Sequence, residues 1–176
     1  KEPHIFRAQL RALLRASVYG NLNVMFPMIS RLEQVRQIKE IIAGLKAELD
    51  AEGIAYSDSI QFGIMVETPA AAVMSDVLAK EVDFFSLGTN DLTQYTMAVD
   101  RMNARVSDLF DSADPAILRL IELTAKNAHD AGIWVGICGE SAANIALTDF
   151  YMSAGIDELS VSPSSVAAVK RAVLES

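Results

Sequence analysis

The stretch FFSLGTNDLTQYTMAVDR, Phe84 to Arg101, decides how the rest of the chain is read. Val82 to Leu87 is a short apolar run with strand character, and it breaks at Gly88 into the polar cluster Thr89, Asn90 and Asp91. A short helix is expected over Leu92 to Ala98, and the stretch closes on Asp100-Arg101. A carboxylate, an amide and a guanidinium thus gather just past the end of a buried strand. That is where parallel α/β folds collect their chemistry.

Outward from this stretch the same unit recurs. Phe62 to Val66 is a continuous apolar run, as parallel strands are when both faces are covered. Glu67 follows it, then Thr68-Pro69 as helix cap and first helical residue of AAAVMSDVLAK. Earlier, NVMFPMI (Asn23 to Ile29) reads as a strand whose Pro27 falls at its end, because proline cannot donate to a central ladder. A first helix opens at Pro3 and stops near Gly20; a second opens on a capping box of Ser30 and Glu33 and carries Leu32, Val35, Ile38, Ile42, Leu45 and Leu49 along one side. Downstream, Asp114-Pro115 starts a helix stopped at Gly132, Ile133 to Ile137 is a strand, and Ser141 to Ser153 is a helix stopped at Gly155. Asp157 to Val161 is a last short strand, and Ser162-Pro163 caps a final helix.

Strand and helix alternate throughout, which predicts an α/β fold with a parallel sheet and right-handed crossovers. Polar or reactive groups follow three strands: Glu67, Asn90-Asp91 and Cys138-Gly139-Glu140. An open sheet concentrates its site at one switch point, whereas a barrel draws on many strands, so the barrel is favoured. A full barrel needs about 250 residues. At 176 residues the chain is expected to be an incomplete one.

Composition narrows the function. The 51% hydrophobic content suits one well-buried domain, no apolar run approaches a membrane span, and no signal-peptide pattern stands at Lys1. The single cysteine excludes an internal disulfide and points to a reducing, cytoplasmic setting. A net charge of -8 argues against nucleic acid as a partner, but a few local cations can still set the field for a small anion.

Glu67 and Asp91 each sit one step beyond or just after a strand, and either alone is explained as a helix-start acid. Two carboxylates held together repel unless a cation lies between them, and magnesium takes one or two carboxylates plus water and phosphate oxygens. Arg101 can grip a phosphate through its planar fork, or pair with Asp100 or Asp108. Asn90 can be a turn residue. Cys138 is either a small buried hydrophobe or a reactive thiol. His4 and His129 read as surface or dipole-complementing positions, with no nucleophile beside them. No P-loop, GxGxxG or Cys/His cluster is present in the sequence. The residues alone point to magnesium-dependent chemistry on a phosphorylated acid.

VETPAAA (Val66 to Ala72), the stretch Phe84 to Arg101, and GICGESA (Gly136 to Ala142) closely resemble the phosphoenolpyruvate-utilising enzymes. Within them the C-terminal domain of Enzyme I of the bacterial sugar phosphotransferase system is most similar, supported by MFPMI (Met25 to Ile29) and FRAQLRALLRAS. The GTNDLTQ and CGE elements are shared with pyruvate phosphate dikinase and phosphoenolpyruvate synthase. The resemblance implies a (β/α)8 TIM barrel, here from about the fourth strand onward, spanning 1–176. It implies Glu67 and Asp91 as Mg2+ ligands, Asn90, Asp91 and Arg101 as phosphoenolpyruvate contacts, and Cys138 as the acid that protonates the enolate of pyruvate. A neutral thiol near its ordinary pKa of about 8.5 suits that task.

The resemblance also implies what lies elsewhere. The acceptor histidine of the family belongs to a separate upstream domain that meets the phosphocarrier protein HPr, and the family's further phosphate-gripping arginines come from early barrel strands. The family dimerises through this domain. The chain alone is therefore expected to transfer no phosphoryl group. The remaining alternatives are a dikinase or synthase fragment, and a non-catalytic dimerisation module whose motif residues only cap helices.

Overall fold

The computed structural model describes residues 3–176. Within them, five strands form one parallel sheet in the order β1-β2-β3-β4-β5. They are β1 (Asn23–Phe26), β2 (Gln61–Val66), β3 (Phe84–Gly88), β4 (Trp134–Cys138) and β5 (Glu158–Leu159). The helices are α1 (Pro3–Ala16), α2 (Leu32–Ala51), α3 (Pro69–Val73), α4 (Ser75–Leu78), α5 (Thr89–Thr96), α6 (Pro115–Asp130), α7 (Thr148–Ser153) and α8 (Val166–Glu175).

Each crossover steps to the next strand in the same direction, so the order never reverses as it does in a doubly wound sheet. The two faces of the sheet confirm this winding. Val24, Phe26, Ile64, Val66, Phe85, Leu87, Val135 and Ile137 point to one face and are buried with the apolar sides of the helices, including Leu45 and Leu49 of α2 and Ile117 and Ile121 of α6. The opposite face carries a different alphabet, arranged in rows across the strands. Met25, Gly63, Phe84 and Trp134 align in one row; Met65, Ser86, Gly136 and Glu158 in the next; Gly88 and Cys138 above them. Helices on one face and mixed side chains in rows on the other describe an arc of a barrel, with the rows as its interior layers.

The lowest row shows why glycine is needed there. The Phe84 ring lies over Gly63 and would be 2.5 Å from a Cβ at that position, while its other neighbour is Trp134, stacked at 4.4 Å between centroids. Trp134 Nε1 donates to Gln61 Oε1 at 3.1 Å.

Several expected boundaries shift for identifiable reasons. The capping box at the start of α2 is not formed by Ser30 and Glu33. Arg31 is the N-cap residue, and the Gln34 side chain accepts from the backbone N–H groups of Ser30 and Arg31 at 2.9 and 3.0 Å. The helix after Thr68-Pro69 is interrupted at Met74, giving α3, α4 and a 3-10 turn at Ala79–Glu81. Buried Ser75 sits at the interruption; its hydroxyl donates to the Ala72 carbonyl at 2.7 Å and accepts from Asn127 of α6 at 2.8 Å, a local bond that competes with helical continuation. The helix expected from Ser141 to Ser153 is likewise divided into 3-10 turns at Glu140–Ala143 and Ile145–Leu147 and then α7, because Asn144 adopts extended geometry and caps the second turn through Ala146 N–H. The last helix starts at Val166, after a turn closed by Ser165 N–H on the Ser162 carbonyl. The caps Thr68 and Asp114 and the stops at Gly132 (φ 76°) and Gly155 (φ 79°) are as expected.

Candidate functional site

The site lies at the C-terminal end of the sheet, where β2, β3 and β4 stop side by side. Val66 pairs with Leu87, and Gly88 with Cys138, so Glu67, one residue past β2, stands next to Gly88. A Cβ on Gly88 would come within 2.9 Å of Glu67 Cβ and 3.0 Å of Glu67 Oε2. The missing side chain at Gly88 is the space the Glu67 carboxylate uses.

Glu67 is 4% exposed and does not cap the helix behind it, a task performed by Thr68, whose Oγ1 accepts from Ala71 N–H at 3.1 Å. Its Oε1 instead accepts from Met28 N–H at 2.7 Å, in the loop after β1. Met28 reaches this position with φ 56°, a left-handed conformation uncommon outside glycine. Thr68 fastens the same loop by donating to the Ile29 carbonyl at 2.9 Å. Burial pushes the Glu67 carboxyl above its ordinary range; the Met28 N–H opposes this, and Asp91 adds to the rise through its charge and a hydrogen bond with Glu67.

Asp91 lies in the first turn of α5, which begins directly at the end of β3 rather than after a loop. Its carboxylate faces Glu67 on one side and Arg101 on the other, with Arg101 Nη1 at 3.3 Å from Oδ1. Arg101 thus pairs with neither Asp100 nor Asp108; Asp100 accepts from Met102 N–H instead. Arg101 Nη1 is buried and, although within ion-pair distance, has no aligned hydrogen-bond acceptor among the described residues. A guanidinium nitrogen in that state is ready for an anionic ligand. The backbone N–H of Arg101 donates to Gln94 Oε1 at 3.2 Å, which ties the arginine back to α5.

Asn90 is more than a turn residue: its Oδ1 accepts from Glu140 N–H at 3.1 Å, joining α5 to the turn after β4. Between them Gly139 has φ 94°, and a Cβ there would lie 2.4 Å from Thr89 Oγ1 and 3.1 Å from Asn90 Oδ1. Cys138 is half-buried; its Sγ accepts from Ser86 Oγ at 3.7 Å, and its carbonyl accepts from Thr89 Oγ1 at 2.8 Å. Burial holds the thiol above its ordinary range against the opposing Ser86 bond, and the charges of Glu67, Glu158 and Asp91 raise it further. The expectation of an unperturbed thiol is corrected accordingly: Cys138 is held as S–H more firmly than a free cysteine. A cavity of about 620 Å³ opens beside it, lined by Asn90, Cys138, Gly139, Glu140, Ser160 and Ser162 among others.

Glu67, Asp91 and Arg101 therefore form one contact chain, and Asn90 and Cys138 border the adjoining cavity. Sequence reasoning missed Met28, Ser86 and Gln94, and placed Thr89 in the polar cluster without its bond to the Cys138 carbonyl. Ser86 was accessible to it, because two-residue alternation along β3 puts Ser86 and Gly88 on one face. The Met28 contact was not, since it depends on a left-handed residue in a loop. His4 and His129 lie outside the site; His129 Nε2 is 3.1 Å from Asp157 Oδ2. No group of three or more His, Cys, Asp or Glu side chains able to hold a metal occurs among the described residues. No helix among them is long and apolar enough to cross a membrane.

A singly wound parallel sheet with paired carboxylates and a thiol at its strand ends, and an arginine beside them, defines a barrel-type domain with these groups gathered at its C-terminal mouth. Residues 1–176 match the family described as PEP-utilising enzyme, PEP-binding domain, and the chain belongs to that family. It is 55% identical to the phosphoenolpyruvate-protein phosphotransferase of Listeria monocytogenes over 162 residues, 92% of this chain and 28% of that protein. It is 54% identical to the protein of the same name from Bacillus subtilis over 166 residues, 94% of this chain and 29% of that one. The chain thus spans less than a third of the length of these relatives. In fold it is similar to a citrate lyase from Burkholderia xenovorans, with a TM-score of 0.67 at 20% identity over 95% of this chain and 53% of that one. An aldolase/citrate lyase family protein from Burkholderia cenocepacia gives a TM-score of 0.63 at 18% identity, over 96% of this chain and 68% of that one. These two likenesses concern the fold alone.

Proposed function

We propose that the chain is the phosphoenolpyruvate- and Mg2+-binding part of a cytoplasmic phosphoenolpyruvate–protein phosphotransferase, the enzyme that opens sugar uptake phosphorylation. The observation that carries the reading is the contact chain Glu67–Asp91–Arg101 at the strand ends, with Cys138 one strand further on. The donor set fits the metal. Two neighbouring carboxylates, one of them buried and raised by the charge of the other, repel each other, and a hard divalent cation is satisfied by one or two carboxylates with phosphate and water completing its shell. When bound, Mg2+ would neutralise phosphoryl oxygens as charge redistributes during transfer.

The chain's own residues have distinct tasks. Glu67 and Asp91 would hold the metal, with Met28 N–H fixing one oxygen of Glu67 so that the other stays directed into the site. Arg101 would turn its unsatisfied Nη1 to the phosphate or carboxylate of the substrate. Asn90 would border the substrate, and the first turn of α5 would add backbone N–H groups. Cys138, held as a thiol, would deliver its proton to the methylene carbon of enolpyruvate once the phosphoryl group has left.

The five strands would be strands four to eight of the barrel. The early strands, with further arginines, and the histidine that accepts the phosphoryl group and passes it to HPr would belong to other parts of a longer chain. Homodimerisation through this domain is part of the same reading; Met102 and Leu109, both well exposed, lie in the loop beyond the site. A dikinase or synthase would differ in carrying a nucleotide-binding domain.

Calorimetric titration of phosphoenolpyruvate into the chain tests the proposal. Binding on the order of millimolar, dependent on Mg2+ and abolished by E67Q or D91N in folded protein, is expected. Absence of binding, or binding indifferent to both substitutions, would overturn it.

A further inference from the structure

Ser86 has no role in the reading above, yet it touches the one side chain there that must give up a proton. It stands in the middle interior row with Met65, Gly136 and Glu158, one row below Cys138 and on the neighbouring strand. Its Oγ lies 3.7 Å from Cys138 Sγ, at the length of a hydrogen bond donated to sulfur. Gly136 beside it has no side chain, and the Glu158 side chain lies over it, its Cβ 3.3 Å from where a Cβ on the glycine would stand. Thr89, fully buried, grips the carbonyl of the same cysteine. Two hydroxyls from β3 and the start of α5 therefore hold the end of β4, one by its backbone and one by its sulfur.

We propose that Ser86 is the positioning residue of Cys138, donating to the sulfur so that the S–H is free to face the cavity and the thiolate left after proton delivery is stabilised. The proposal rests on the assignment of Cys138 as the proton donor. In that step the S–H bond breaks, its proton bonds to the methylene carbon using the enolate π pair, the enolate oxygen becomes the ketone of pyruvate, and sulfur keeps the S–H pair. The thiolate is then neutralised by a proton from water. A hydroxyl that already donates to sulfur gains strength as the charge appears, because hydrogen bonds to ionised groups are roughly twice as strong as neutral ones. It needs no reorganisation at that moment.

Cys138 is the sole cysteine, so alkylation of the unliganded chain by iodoacetamide reports on this thiol alone. The rate should be measured from pH 7 to 10 for the natural chain, S86A and S86T, with C138S as the blank and thermal melting as the control for folding. Thiolate reacts and thiol does not, so S86A should move the rate profile to higher pH. At pH 8 it should react about threefold or more slowly, with a melting temperature close to the natural one. S86T keeps the hydroxyl and should restore the profile. If S86A leaves the profile in place, or if S86T fails to restore it while melting normally, the proposal is overturned. Because no substrate or metal is used, the outcome is separate from the phosphoenolpyruvate titration. A shifted profile in a chain that binds no phosphoenolpyruvate would sink the functional reading and leave the Ser86–Cys138 coupling standing; an unshifted profile with Mg2+-dependent binding would do the reverse.

Discussion

Gly139 concentrates the constraints of the site into one residue. Its φ of 94° is open to glycine, and its missing Cβ makes room for Thr89 and Asn90. G139A should destabilise the fold by about 2–3 kcal/mol, read as a lower urea midpoint at unchanged slope. Arg101 tests binding at the same scale. R101A should weaken phosphoenolpyruvate about tenfold or more, and R101K should recover only part, since lysine keeps the charge but not the fork; titration calorimetry distinguishes the three. Glu67, Asn90, Asp91 and Cys138 could be picked out in the sequence because each lies at or just past a strand end, and Arg101, in the loop beyond α5, because it closes the same stretch. Their partners could not. That Arg101 chooses Asp91 over its neighbour Asp100 depends on how α5 folds back, and that Glu67 finds Met28 depends on a loop conformation no local pattern announces.

At the scale of elements, caps and tethers decide where helices sit. Thr68 holds α3 by its cap bond and the β1 loop by its bond to Ile29. T68A should therefore cost about 1–2 kcal/mol and also weaken substrate binding, because the loop carrying Met28 loses an anchor; T68S should restore both. A second tether joins α2 to the 3-10 turn before β3. Glu81 takes a bond from Lys39 at 2.8 Å and one from Arg36 at 3.2 Å, and Lys39 followed by Arg36 hold its carboxyl below the ordinary 4.5. A depressed carboxyl contributes stability above its unfolded value and loses it as pH falls through the lower folded value. The melting temperature of E81Q should match the acid-destabilised natural chain near pH 3 and fall below it at pH 6. Periodicity located these helices well, but the interruptions at Met74 and Asn144 were not legible. They follow from buried Ser75 bonding the Ala72 carbonyl, where a polar side chain must find a partner, and from exposed Asn144 capping the turn that follows it through Ala146 N–H.

For the whole molecule, strand–helix alternation was enough to read a parallel sheet, and polar groups after three strands were enough to favour a barrel. The singly wound order and the interior rows had to be seen, since alternation alone permits either winding. Within the described residues, the outer edges of β1 and β5 are left unpaired by that order. Neither His4 nor His129 lies at the strand ends, so incubating the chain with phosphoenolpyruvate and Mg2+ should yield no phosphohistidine; a phosphorylated histidine in intact-mass and peptide spectra would refute this. The lowest row has a use of its own. Trp134, the single tryptophan, is stacked on Phe84 and bonded to Gln61, and it is still partly open to solvent from inside the arc. It is a built-in optical probe whose emission should shift to the blue if further chain packs against that face. The fluorescence of one indole would then time that closure.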